Sequence, residues 1–192
     1  MASRTFEHAV RDVPGLRTVD AAGGVNARLR LRYRLAVAAP SVVEVVRFAG
    51  GGLFDQVIAG WDVMVLTAEP GDDRPLQILG ATAIDLESAL ATPSRGARTD
   101  AVAVASRLYE TDERVRTRLL AAVDEGMADA RLWDAHQPAD TEGTRRMVAY
   151  RPTVAARAFK AQALAAAGVP IEECAAPEMF QSVALARAYT SV

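Results

Sequence analysis

The sequence predicts an α/β fold, with a small mixed sheet of about three strands in the N-terminal half and a helical C-terminal half packed on it. Three patterns point there. Residues 29–37 alternate apolar and arginine side chains, residues 41–60 form a capped helical period, and from residue 99 onward capped apolar periods of helical spacing prevail. At 192 residues the chain has the length of one domain. The α/β half, 1–96, and the helical half, 97–192, are therefore expected to fold together.

Phe6, Val10 and Val13 stand at helical spacing before the breaker pair Pro14-Gly15, which suggests a short opening helix. A strand is expected near 27–37. There Leu29, Leu31, Tyr33, Leu35 and Val37 alternate with Arg28, Arg30, Arg32 and Arg34. Steps of two scatter around a helix but line one side of a strand. The other side would carry four guanidinium groups about 6.6 Å apart, a candidate surface for an anion or an acidic partner. An edge strand guarded by like charges accounts for the same pattern.

Ser41 and Glu44 have the spacing of a capping box, in which each side chain satisfies a backbone N–H at a helix start. Val42, Val46, Ala49, Leu53 and Val57 then recur at steps of three and four up to Gly60. A helix over about 42–59 follows, and it contains Gly50, Gly51 and Gly52. Three interior glycines cost a helix roughly 3 kcal/mol in all, so close packing against a neighbouring element is expected to offset them. In the rival reading residues 42–48 form a strand and the glycines cradle a phosphate. The fingerprints do not fit, because the sixth position from Gly50 is Asp55 and no GK[ST] ending follows.

Residues 61–68 read as a strand buried on both faces. Glu69, Asp72 and Asp73 lie just past its carboxyl end, where ligands of open α/β sheets bind, although turn chemistry alone favours aspartate and glycine there. A third strand is expected over 75–81, then a helix capped by Asp85. In the second half Thr99 and Thr111 stand as N-caps. The second of these helices has an apolar face running from Val115 to Trp133. Residues 153–168 supply another helix closed by Gly168, and Pro177 opens the last one.

Twenty-four acidic and 22 basic residues leave a net charge of −2, which exerts no general pull toward nucleic acid or membrane. Lys160 is the sole lysine, and the arginine excess beside so much alanine fits a GC-rich coding sequence. No apolar run reaches the ~18 residues of a membrane span, and the N-terminus has no signal-peptide core; a cytoplasmic location is expected. Cys174 has no partner for a disulfide, and His8 and His136 stand outside any metal motif, so no metal site is expected. No motif nominates a catalytic residue or a cofactor.

Two functions are consistent with these features. The first is a non-catalytic interaction or regulatory protein of a bacterial-type cytosol, which associates with itself or a protein partner. The alternative is a small-molecule enzyme or anion-binding α/β module, with its site near Gly50, Gly51 and Gly52 and the turn of Glu69, Asp72 and Asp73.

Overall fold

Among the described residues seven strands form a single sheet in the order β3-β2-β1-β4-β5-β7-β6. The computed structural model describes residues 33–91, 99–127, 129–133, 147–171, 174 and 177–183. In chain order the elements are β1 (Arg34–Ala39), α1 (Val42–Ile58), β2 (Asp62–Thr67), α2 (Arg74–Ile78), β3 (Thr82–Asp85), α3 (Leu86–Ala91), β4 (Ala101–Ala105), α4 (Ser106–Thr111), α5 (Glu113–Asp124), β5 (Asp129–Trp133), β6 (Met147–Tyr150), α6 (Val154–Ala166) and β7 (Glu178–Ser182). The pairs β3-β2, β2-β1, β1-β4 and β4-β5 are parallel. β7 runs antiparallel between β5 and β6.

The α/β class is as expected, but the sheet has seven strands where about three were predicted. Four of them come from the half expected to be helical. β4 is the alanine-valine run after Thr99; alanine favours a helix, yet three of its last four side chains are buried as a central strand requires. The apolar period expected to carry a helix on to Trp133 breaks at Gly126, whose φ of +95° only glycine adopts freely. α5 therefore ends at Asp124, and β5 begins three residues beyond that glycine.

The stretch after Pro177 is β7, not a helix, because the buried Glu178 is tied to α1 and α6. The strand expected over 75–81 is also corrected. Asp73 and Pro75 open the short helix α2, which buries Leu76 and Leu79 at helical spacing, and β3 starts only at Thr82. Of the strand expected near 27–37, residues 34–37 belong to β1, which continues to Ala39; residues 27–32 and the helix expected over 3–13 lie outside the described residues.

α1 starts at its Ser41 cap, whose hydroxyl accepts the Glu44 N–H at 3.4 Å. It buries Val42, Val45, Val46, Ala49, Leu53 and Phe54 against the sheet face that carries Val37, Ala39, Val63 and Val65. α6 is capped by Thr153, whose hydroxyl accepts the Ala156 N–H, and it closes at Gly168 with φ +68°. Its face of Ala156, Lys160, Ala163 and Leu164 is buried. Among the described residues no helix is long and apolar enough to cross a membrane.

Candidate functional site

β1 leads through α1 to β2 on one side of the sheet, while β4 lies on its other side. The order therefore reverses between β1 and β4, and the carboxyl ends of strands at such a point are where open parallel sheets bind ligands. Register puts Asp85, Thr67 and Ala39 side by side at this crest. The pairing of Ala38 with Val104, and of Ala105 with Trp133, extends the row across β4 and β5. Neighbouring strands lie about 4.8 Å apart, so the row from Thr67 to Trp133 spans about 14 Å.

Polar groups gather along it. Thr67 and Ser106 are buried polar residues, and Trp133 has a buried indole N–H with no acceptor among the described residues. α1 opens at the gap. A helix leaves its first N–H groups without internal acceptors; Ser41 takes those of Glu44 and Val45, while those of Val42 and Val43 meet no partner among the described residues. With the helix dipole behind them, such donors favour negative charge.

The acidic turn is brought here by backbone contacts. The Ala68 N–H donates to the Ala39 carbonyl at 3.2 Å and the Glu69 N–H to the Pro40 carbonyl at 2.9 Å. Gly71 approaches Val42 closely, with 3.7 Å between the position of an added Cβ and Val42 Cγ2. Glu69, Asp72 and Asp73 are exposed around the start of α1. Asp72 accepts the Arg74 N–H at 2.9 Å, and Asp73 is the N-cap residue of α2.

The three glycines are elsewhere. Gly51 lies nine residues along α1 from Val42, about 14 Å at 1.5 Å per residue, and its neighbour is the protein's own carboxylate. Glu178 Oε1 accepts the Gly51 N–H at 2.7 Å and Lys160 Nζ at 2.7 Å, and Oε2 accepts the Gly52 N–H at 2.8 Å. The two side chains of this ion pair are each 1% exposed. An added Cβ at Gly51 would lie 2.5 Å from Pro152 Cγ and 3.0 Å from Glu178 Oε1. The glycines thus admit an internal anion and a proline ring to the flank of a helix, and their N–H groups do not face an open ligand loop. Gly50 packs on Leu79 and Lys160.

Beside this pair Asp55 joins α1 to the segment after β6. It accepts the Tyr150 hydroxyl at 2.7 Å, the Thr153 hydroxyl at 2.6 Å and the Thr153 N–H at 3.0 Å. Partial burial pushes the Asp55 carboxyl up, but the hydrogen bonds from Thr153 and Tyr150 outweigh it and hold the carboxyl below its ordinary value of 3.8. Burial, then Asp55, pushes the Tyr150 hydroxyl up. Because the folded value of Asp55 is depressed, its stabilisation is present above the unfolded value and is lost as pH falls through the folded one. In urea unfolding Asp55→Asn should therefore be less stable than wild type at about pH 7, and the gap should narrow toward about pH 3.

Arg34 bonds Asp62 at 3.1 Å through its side chain and Asp100 at 2.8 Å through its N–H, stitching β1 to the entrances of β2 and β4. Arg28, Arg30, Arg32, His8 and His136 lie outside the described residues. Cys174 is half-buried and donates to the Arg157 carbonyl at 2.9 Å. Among the described residues no three His, Cys, Asp or Glu side chains gather into a set that could hold a metal.

Residues that join the glycines to the rest of the fold, Lys160, Glu178, Asp55, Tyr150 and Thr153, were not singled out from the sequence. One signal was available: Lys160 is the only lysine, and it stands on the alanine-rich face of its helix with Ala156 and Ala163.

No protein-family model matches the chain, and no curated protein matches it. Solved structures do. A deacetylase triple mutant of the teicoplanin biosynthetic pathway aligns with a TM-score of 0.53 at 14% identity, covering 78% of this chain and 97% of that one. The deacetylase-teicoplanin complex of the same pathway gives the same score, identity and coverage. The likeness establishes a shared fold. It also runs against the expectation of a non-catalytic interaction or regulatory protein, since these two solved chains, aligned over 97% of their length, are deacetylases.

Proposed function

We propose that the protein is a small-molecule enzyme that hydrolyses an N-acyl amide at the crest of its parallel sheet. The observation that supports this most is the reversal of strand order between β1 and β4, with α1 opening there and the N–H groups of Val42 and Val43 unpartnered among the described residues. The fold shared with deacetylases supports the reaction class.

In this reading the amide carbonyl oxygen of the substrate points at those two N–H groups. Water attacks the carbonyl carbon, the oxygen gains negative charge, and fixed donors hold that charge better than they hold the neutral carbonyl. Glu69 takes a proton from the attacking water and returns it to the departing nitrogen, so that an amide and water become a carboxylic acid and an amine, which ionise at neutral pH to a carboxylate and an ammonium. Thr67 and Ser106 supply hydroxyls along the same row to orient the rest of the substrate.

The test is acetate release from a panel of N-acetylated amino sugars and amines by the purified protein. Release is expected for at least one, and Glu69→Gln should lower kcat about 100-fold or more with little change in KM. No release from any compound would sink the hydrolase reading. Full activity in Glu69→Gln would remove Glu69 from the chemistry.

A further inference from the structure

A cavity lies on the opposite face of the sheet from α1. Between that face and helices α3 and α5 runs a cleft of about 580 Å³. Protein interiors are packed to the density of organic crystals, and a gap of this size against central strands of a parallel sheet falls in the range of small-molecule sites, roughly 300–1,000 Å³. Its floor consists of short side chains, Ala36 and Ala38 of β1 and Val102 and Val104 of β4, and its walls include Leu90 and Leu119. The small floor residues and the way the two helices are fastened keep it open. Arg114 of α5 forks onto Glu87 of α3 at 2.7 and 2.8 Å, and Arg118 donates to the carbonyls of Ala89 and Leu90. The helices are thus pinned to each other at the rim.

Charge at the rim is uneven. Arg114 is matched by both Glu87 and Asp112. Arg118, also exposed and lining the cleft, bonds only neutral carbonyls and has no carboxylate partner among the described residues. A hydrocarbon body would fill the floor, and an anionic head would meet a guanidinium held in place, a charge-assisted pairing stronger than a neutral hydrogen bond.

We propose that this cleft binds a monocarboxylate with an apolar chain, the chain lying on Ala36, Ala38, Val102 and Val104 and the carboxylate against Arg118. The site lies on the face of the sheet opposite α1, and its binding test does not depend on the amidase reading.

Calorimetric titration of the purified chain with decanoate and with its neutral counterpart decan-1-ol tests it. Saturable one-to-one binding of both is expected, with decanoate the tighter. Ala36→Phe fills the cleft from the sheet and Ala122→Phe from α5; each should weaken both ligands at least tenfold. Arg118→Gln, at the surface, should weaken decanoate about tenfold and leave decan-1-ol unchanged. Absence of saturable binding to the wild-type chain, or undiminished binding in the filled variants, would overturn the site. Equal loss of both ligands in Arg118→Gln would overturn the carboxylate assignment, and this variant gives an answer even if neither filled variant folds.

Discussion

Gly51→Ala should lower the stability of the fold by about 2–3 kcal/mol, read as a reduced urea midpoint with unchanged slope. Taken alone, a helix interior gains about 1 kcal/mol from this replacement, so the sign is the informative part. The new Cβ would sit 2.5 and 2.6 Å from two carbons of the Pro152 ring and 3.0 Å from Glu178 Oε1. A proline ring has no rotamer by which to retreat, and overpacking of this kind costs about 1–3 kcal/mol. Displacing the carboxylate also lengthens hydrogen bonds to a buried charge, each worth about 1.5–3 kcal/mol. Gly52→Ala should cost less, because its nearest neighbours are Glu178 Oε2 at 3.1 Å and Tyr150 carbons at 3.6 Å. A midpoint unchanged or raised in Gly51→Ala would mean that α1 and the segment after β6 are not packed as described.

A larger loss is expected from breaking the buried pair itself. Lys160→Met should destabilise by about 3–5 kcal/mol, the usual cost of stranding one charge of a buried ion pair. Glu178 would keep the Gly51 and Gly52 N–H groups but lose its counter-charge. Glu178→Gln leaves the ammonium stranded instead and should cost a similar amount. The double variant leaves no bare charge, so its loss should fall short of the summed single losses by about 0.5–3 kcal/mol, the coupling of groups in contact. Additive losses would show that the two side chains do not act as a pair.

Local chemistry made some of this fold legible. Ser41 and Glu44, with the valine and leucine period after them, marked α1 because a capped helix start and its period agree. Thr153 and Gly168 bounded α6 for the same reason. β2 was readable because its run from Val63 to Leu66 has no polar interruption; the expected burial on both faces is met on one only, since Val63, Val65 and Thr67 are buried while the alternate residues are half-buried. What escaped were strands whose identity is set by distant partners. β4 is alanine and valine, neutral between helix and strand until β1 and β5 flank it. β7 begins after Pro177 with a glutamate, a helix-like start, and is a strand because that glutamate is held by Lys160 and by two amides 126 and 127 residues away.

The site divides in the same way. Glu69, Asp72 and Asp73 were placed correctly beyond the end of a strand, since they follow β2 directly. Their separation from the glycines by about 14 Å along α1 needed the helix axis and the position of Glu178. The glycines were noticed as an anion cradle and as a packing device; the structure unites these, since the anion they admit is the protein's own side chain. The row from Thr67 to Trp133 depends on strand order, which no local pattern carries.

The measurement closest to the central proposal is a backbone amide NMR titration with acetate, the product expected of deacetylation and an anion small enough to reach the start of α1. The crest reading predicts saturable shifts confined to the amides of Val42, Val43 and the neighbouring residues of the Glu69 turn and Ser106, with those of Gly51 and Gly52 unmoved behind Glu178. No saturable shift at Val42 and Val43, or shifts centred on another part of the sheet, would contradict it.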